Sequence, residues 1–320
     1  MEDVNLGQEN RHVLVTGGAG YIGSVLVPMI LNQGFSVTVI DNFMYSQTSL
    51  LDCIYDERLT VIYDDIRNID TLKKHIAKAD IIIPLAAIVG APACDRIPQT
   101  AYEINQLQAQ HIVDLVSKDQ LIIFPVTNSG YGIGQFDTEC DENSPLNPLS
   151  VYGKTKVEAE KIILDGANAV TFRLATVFGS APRMRIDLLV NDFVYRAFND
   201  RFVVLFESHF KRNYIHIRDV SLAFIHGINN YNTMSGEAYN VGLSAANFSK
   251  MELCLRIKQY VPDFQIIENE FAEDPDKRDY IVSNKKIEET GWAPKYSLDY
   301  GIKELLKTYS FLRMNNFNNK

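Results

Sequence analysis

The chain has 320 residues, with 46% hydrophobic and 22% charged, enough to bury the core of one large or two smaller globular domains. Its net charge of −9 excludes the broad basic face that a nucleic-acid partner requires, while leaving room for a local basic pocket around one small anion. Cys53, Cys94, Cys140 and Cys254 form no C-x-x-C pair and have no histidine at metal spacing, so reduced thiols and no metal are expected.

The opening "MEDVNLGQEN" is acidic and polar, unlike a signal peptide. The most apolar run, Ile81 to Cys94, has 14 residues and contains Pro84 and Pro92, too short and broken to span a bilayer. A soluble cytoplasmic protein with no membrane partner is expected.

The first expected strand, "HVLVT", runs directly into "GGAGYIGS", where a helix begins. Gly17, Gly20 and Gly23 suit a tight turn, close backbone approach to a pyrophosphate, and close helix–strand packing. The second strand, "SVTVID", ends in Asp41, 24 residues beyond Gly17, where a carboxylate can accept ribose hydroxyls and repel a 2′-phosphate. Asn42 and Phe43 bring no cation for that phosphate, so NAD is favoured over NADP. The strands "LTVIY", "ADIIIPLAA", "LIIFPVT" and "AVTFRLAT" follow, with helical stretches such as "AYEINQLQAQHIVDLVSK" among them. Near-continuous apolar strands alternating with helices predict a doubly wound α/β domain of the Rossmann type over residues 1–178.

The fifth strand leads into "VTNSGYG", which sets Thr127, Asn128 and Ser129 at a strand end, where such folds keep their chemistry. Next, "SVYGKTK" places Tyr152 four residues before Lys156, on one face of a helix. A neighbouring ammonium and a positive nicotinamide ring are expected to lower the phenol's pKa towards neutrality and make it a general base. Beyond residue 178 the rhythm breaks, predicting a smaller α-rich lobe over 179–320, with 217–242 returning to the first domain and a frayed tail "MNNFNNK".

The stretch "TGGAGYIG" at 16–23, Asp41-Asn42, Asp65-Ile66, "LAA" at 85–87, Asn105 and Tyr152/Lys156 together resemble the extended short-chain dehydrogenases/reductases. These are nucleotide-sugar epimerases, dehydratases and dehydrogenases. The likeness extends to "RNYIHIRDV" at 212–220 and "GWAP" at 291–294. It implies an NAD-binding domain, a nucleotide-sugar-binding domain and a homodimer or higher homo-oligomer. It implies cofactor contacts from Gly17, Gly20, Tyr21, Ile22, Gly23, Asp41 and Asn42, then from Asp65, Ile66, Leu85, Ala86 and Ala87. Asn105 would buttress that cleft, and Pro84, where relatives often carry His, would reshape its wall. Thr127, Tyr152 and Lys156 would carry out oxidation at the sugar C4, with Lys156 also holding the cofactor ribose. Arg212 and Arg278 match positions that grip the substrate diphosphate, and Thr176, Asn128 and Ser129 join the substrate set.

A dehydratase of this family resembles "TDEVYG", with an Asp-Glu pair where this chain has Asn128 and Ser129. Neither is an acid or base at neutral pH, so loss of water is disfavoured unless Glu139 or Asp141 swings in. "PLAAIVGAPAC", "SGYGIG", "PRMRIDLLVNDF" and "EDPDKRDY" resemble the NAD-dependent 4-dehydrogenases of GDP-D-glycero-α-D-manno-heptose in capsule synthesis. That likeness would make Arg183, Arg185, Asp187 and Asn191 serve the sugar or nucleotide, with a polar helix face as the alternative. A 4-epimerase is the second reading, and an inactive NAD-binding regulator the third.

Overall fold

The computed structural model describes residues 11–134, 138–269 and 278–312. Its centre is a seven-stranded parallel sheet, formed by β1 (His12–Thr16), β2 (Ser36–Asp41), β3 (Leu59–Tyr63), β4 (Ile81–Pro84), β5 (Leu121–Thr127), β6 (Ala169–Leu174) and β7 (Ala238–Val241). In space the order is β7-β6-β5-β4-β1-β2-β3. The order reverses beside β1, which pairs with β2 on one side and β4 on the other. A crevice opens at such a switch point, beyond the strands' carboxyl ends.

Strand side chains alternate between two apolar layers. Val13, Val15, Val37, Val39, Ile81, Ile83, Ile123 and Phe172 face one core. They pack with Leu26, Val27 and Ile30 of α1 (Gly23–Asn32), and with a later helix through Val220, Ala223 and Phe224. Leu14, Ile40, Ile82, Ile122 and Phe124 face the other core, beside Ala159 and Ile163 of α2 (Val151–Gly166). Side chains of this size each contribute roughly 1.5–3 kcal/mol when fully buried. That is why these short strands read as almost unbroken apolar runs.

Three further helices, α3 (Leu189–Asn199), α5 (Lys250–Lys258) and α6 (Leu298–Tyr309), build a second core around Phe178, Val190, Phe193, Leu253, Ile257, Ile302 and Leu305. The intervening α4 (Ile217–Asn229) is the helix that packs beside α1. Small sheets accompany this lobe, one of them joining Asn247–Ser249, Lys211–His216 and Thr176–Phe178. All four cysteines are buried and unbridged. Among the described residues, no helix is long and apolar enough to cross a membrane.

Candidate active site

The sheet's carboxyl edge opens into a cleft of about 680 Å³. Gly17 leaves β1 with a φ of +68°, and a Cβ there would lie 2.6 Å from the backbone of Ala86. A Cβ on Gly23 would fall 2.3 Å from the Gly18 carbonyl oxygen, so α1 starts against the turn only because both positions lack a side chain. No side chain caps α1 and no carboxylate stands in its first turn. Its amino end, with Gly20, Tyr21 and Ile22, therefore faces the cleft as a seat for an anion.

Asp41 closes β2 at the same end. One of its oxygens accepts from Ala19 N at 3.0 Å, and the other from Phe43 N at 2.8 Å and Gln47 Nε2 at 3.2 Å. Burial raises its pKa, and these donors oppose the rise. A carboxylate offers about four lone-pair sites, so capacity for a ribose hydroxyl remains. Asp65 is gripped by Arg67 at 2.9 Å and by Asn42 Nδ2 at 3.1 Å, and the guanidinium brings its pKa down to about 2. Ile66, Leu85, Ala86 and Ala87 complete this wall. Glycine cradle, uncapped helix and strand-end carboxylate fit a dinucleotide.

Asn105 does not line this cleft. It accepts from Ile88 N at 2.8 Å and donates to Ile88 O at 2.9 Å, bracing the backbone beyond Ala87. It belongs to a π-helical turn, Glu103–Leu107, a distortion that recurs near functional sites. Pro84 also stays off the cleft wall, as the last residue of β4, opposite Thr16.

Thr127 ends β5 and caps the turn Asn128–Tyr131 by accepting from Ser129 N at 3.1 Å. Its hydroxyl donates to Ser129 Oγ at 2.9 Å, and Arg278 Nη1 donates to the same oxygen. Thr127 lines the cleft, whereas Asn128 and Ser129 are 1% and 2% exposed and sit behind it. Direct substrate contact from these two is therefore not what the fold provides, because the tight turn folds them back under the strand end. Both amide atoms of Asn128 lack a hydrogen-bond partner among the described residues.

Ser150 starts α2 by accepting from Gly153 N at 3.1 Å, which sets Tyr152 and Lys156 towards the cleft one turn apart. Thr127 and Tyr152 line the same cleft. Burial pushes the phenol's pKa up to about 12, with Cys94 adding to the rise and Arg185, Arg278 and Thr127 opposing it. The expected lowering towards neutrality is thus absent from the chain by itself. Lys156 contributes little to it, because its Nζ lies 4.1 Å from the Phe124 ring centroid and burial brings its pKa down to about 7, against a smaller opposing effect of Glu160.

This burial has a stability consequence with a definite sign. Below about pH 7 Lys156 is protonated in the folded and unfolded chains alike, and the folded state bears the full desolvation cost. Between about pH 7 and 10.5 the unfolded chain keeps a proton that the folded one has released, so this group's penalty shrinks as pH rises. Lys156→Met is expected to raise the thermal midpoint at neutral pH, with the gap to wild type closing in alkali. Calorimetry across that range checks this, and an unchanged or lowered midpoint at neutral pH refutes it.

From the other lobe, Thr176, Arg183, Arg185, Arg212 and Arg278 line the cleft. Arg183 stands at the Asp41 end: its guanidinium is 4.6 Å from the Tyr45 ring centroid, its charge acts on Asp41, and its backbone N donates to Ser24 Oγ at 3.3 Å. Its position is that of a cofactor neighbour. Arg185 pairs with Asp187 through contacts of 3.2 and 2.6 Å. Arg212, 3% exposed, packs 5.9 Å from the Tyr280 ring centroid.

Asn191 corrects the expectation of substrate contact. It is fully buried, accepts from Gly179 N at 3.0 Å, and donates to Arg185 O at 2.8 Å and Tyr21 Oη at 3.3 Å. It bridges the glycine turn to the arginine-bearing segment. Lys250 escaped the sequence reading. It is 4% exposed, lines the cleft and donates to Phe206 O at 2.8 Å, yet in the sequence it is only a lysine opening a helix behind the Ser249 capping box. Tyr45 and Arg96 line the cleft as well, without a motif to mark them. Residues 273–277 of "EDPDKRDY" lie outside the described residues.

Comparison with known proteins gives a consistent picture. A putative UDP-glucose 4-epimerase of Methanocaldococcus jannaschii is 26% identical over 92% of this chain and 97% of its own length. The CDP-paratose 2-epimerase of Salmonella typhi matches at 26% identity over the same shares. In fold, the chain is similar to the Bacillus cereus UDP-glucuronic acid 4-epimerase solved with UDP-glucuronic acid and NAD, with a TM-score of 0.83 at 23% identity over 93% of this chain and 99% of that one. The pattern of one protein family matches residues 13–242, from β1 past β7, and by that match this chain is an enzyme, with NAD as its cofactor, of the NAD dependent epimerase/dehydratase family.

Proposed function

We propose that this enzyme oxidises the C4 hydroxyl of a nucleotide-activated sugar and releases the 4-keto sugar. One observation carries the reading: Thr127 and Tyr152 line one cleft, while the two positions after Thr127 bear an amide and a hydroxyl. Glu139 and Asp141 are not among the lining residues. Of the carboxylates that line the cleft, Asp41 and Asp65 stand at the cofactor end, and Asp187 and Asp192 pair with Arg185 and Arg196. Among the described residues, then, no carboxylate is poised for elimination of water.

The residue roles follow from this chemistry. Tyr152 takes the proton of the C4 hydroxyl, and Thr127 hydrogen-bonds the same oxygen. Bound NAD supplies the acceptor for the hydrogen that leaves C4. Lys156 and Asp41 hold ribose hydroxyls, Asn42 and Asp65 lie at the adenosine, and Arg212 with Lys250 meets the substrate's phosphates. Residues 1–178 would thus serve NAD and 179–320 the nucleotide sugar, with 217–242 returning to the first. The segments "PLAAIVGAPAC" and "PRMRIDLLVNDF" support GDP-D-glycero-α-D-manno-heptose as the substrate, in capsular or surface polysaccharide synthesis. A 4-epimerase is the second reading, favoured by the 4-epimerases among the relatives.

The test is incubation with NAD and a panel of GDP-, UDP-, dTDP- and CDP-sugars, following nicotinamide absorbance and product mass together. Reduced nicotinamide with a product lighter by two hydrogens supports the dehydrogenase. A mass-neutral isomer supports the epimerase, and loss of water overturns the reading of Asn128 and Ser129.

A further inference from the structure

The dinucleotide end of the cleft is acidic. From the glycine turn to Ile66, its described lining residues include Asp41 and Asp65 but no cation, although a dinucleotide brings its pyrophosphate to the start of α1. Arg183 comes to that place from the other lobe. Its backbone N donates to Ser24 Oγ, in the first turn of α1, at 3.3 Å. Its guanidinium lies 4.6 Å from the ring centroid of Tyr45, in the loop after β2. The residue thus spans from the helix that would receive the pyrophosphate to the strand end that would receive the adenosine ribose. Elsewhere in the cleft wall, Arg185 commits its fork to Asp187, and Arg96 turns back on Pro92 O of its own helix.

Both flanks of Arg183 are fixed. Asp41 accepts from Phe43 N at 2.8 Å and Gln47 Nε2 at 3.2 Å, and so sets the loop that carries Tyr45. On the other side, Tyr21 Oη donates to Gly179 O at 2.6 Å and Asn191 Nδ2 donates to Arg185 O at 2.8 Å, which ties the segment around Arg183 to the glycine turn. Contact with a ring face fixes the guanidinium plane, the condition for gripping a phosphate through two N–H groups. Arg183 is 6% exposed, and a charge withdrawn that far from water is costly unless an anion meets it. We infer that Arg183 is a cofactor residue supplied by the second lobe: it grips the pyrophosphate of NAD, with Tyr45 holding its plane. The family resemblance assigns this arginine to the sugar or nucleotide of the substrate, whereas its contacts put it at the cofactor.

Binding alone tests this, without turnover. The full chain is titrated calorimetrically with NAD, NADP, ADP-ribose and adenosine. Arg183→Gln is expected to weaken NAD and ADP-ribose by about tenfold or more, the loss of a hydrogen bond to a charged group, and to leave adenosine, which lacks the phosphates, nearly unaffected. Arg183→Lys, which keeps the charge without the planar fork, should lie between wild type and Arg183→Gln. Tyr45→Ala should weaken NAD roughly two- to fivefold, and Tyr45→Phe, which keeps the ring, should not. The affinity of the NAD-saturated chain for GDP and UDP should stay at the wild-type value in every variant. Unchanged NAD affinity in Arg183→Gln, with GDP or UDP binding weakened, would overturn the inference and return Arg183 to the substrate. A loss confined to NADP would make it a reader of a 2′-phosphate and overturn the pyrophosphate assignment. Should Arg183→Gln fail to fold, Arg183→Lys and Tyr45→Ala decide, and NAD affinity unchanged in both refutes the inference.

Discussion

Tyr152→Phe is expected to lower kcat by roughly 10²–10⁴-fold, the usual contribution of a positioned general base, while leaving NAD affinity and the folding transition nearly unchanged. The ring packs among Ile88, Cys94 and Ala101, and a phenylalanine keeps those contacts. Only the hydroxyl is lost. With the free phenol's pKa pushed up to about 12, wild-type activity should climb steadily with pH through the neutral range, limited by the scarce ionised form. The variant's residual rate should lack that slope. Stopped-flow nicotinamide absorbance across pH checks both parts, and a variant retaining wild-type turnover would remove Tyr152 from the chemistry.

The parts of this protein that were legible in the sequence are those fixed by local backbone demands. Gly17 and Gly23 announce themselves because no side chain fits where they stand, and Asp41 because it closes a β-branched strand at the right distance. The central strands show because both sheet faces are covered and most of their positions are apolar. The remainder depends on how distant segments meet. Asn191 looked like a polar cleft residue, yet it is consumed by partners as far away in the chain as Tyr21. Arg183 and Arg185 are two residues apart, but one reaches Tyr45 near Asp41 and the other acts on Tyr152. Ser129 read as a missing acid, and its bond to Arg278 spans 149 positions that no spacing rule connects. Helical spacing likewise sets Lys156 on the right face, but its burial beside Phe124, which no spacing rule shows, bears on what charge it carries.

The largest expected stability effect lies beneath the site. Arg173 on β6 grips Glu160 of α2 through Nε at 3.0 and 3.1 Å and through Nη2 at 3.0 Å, with the two side chains only 9% and 4% exposed. Glu160 also accepts from Thr171 Oγ1 at 2.9 Å. The remaining guanidinium nitrogen donates to Tyr131 Oη at 3.2 Å and to Glu142 O at 3.1 Å, and Tyr131 donates in turn to Asn240 Oδ1 on β7 at 2.7 Å. One network therefore ties the catalytic helix, the turn after Thr127 and two strands of the sheet. Arg173→Met leaves the Glu160 carboxylate buried without its partner, and is expected to cost about 3–5 kcal/mol in urea unfolding. Replacing both partners, Arg173→Met with Glu160→Leu, removes the stranded charge and should recover much of that loss. Activity should not recover with it, because the apolar pair no longer fixes α2 against the Tyr131 turn, and a shift of about 1 Å at Tyr152 suffices to cost on the order of 100-fold. A double variant as unstable as the single one would contradict this account, since the loss would then come from packing rather than from an unpaired buried carboxylate.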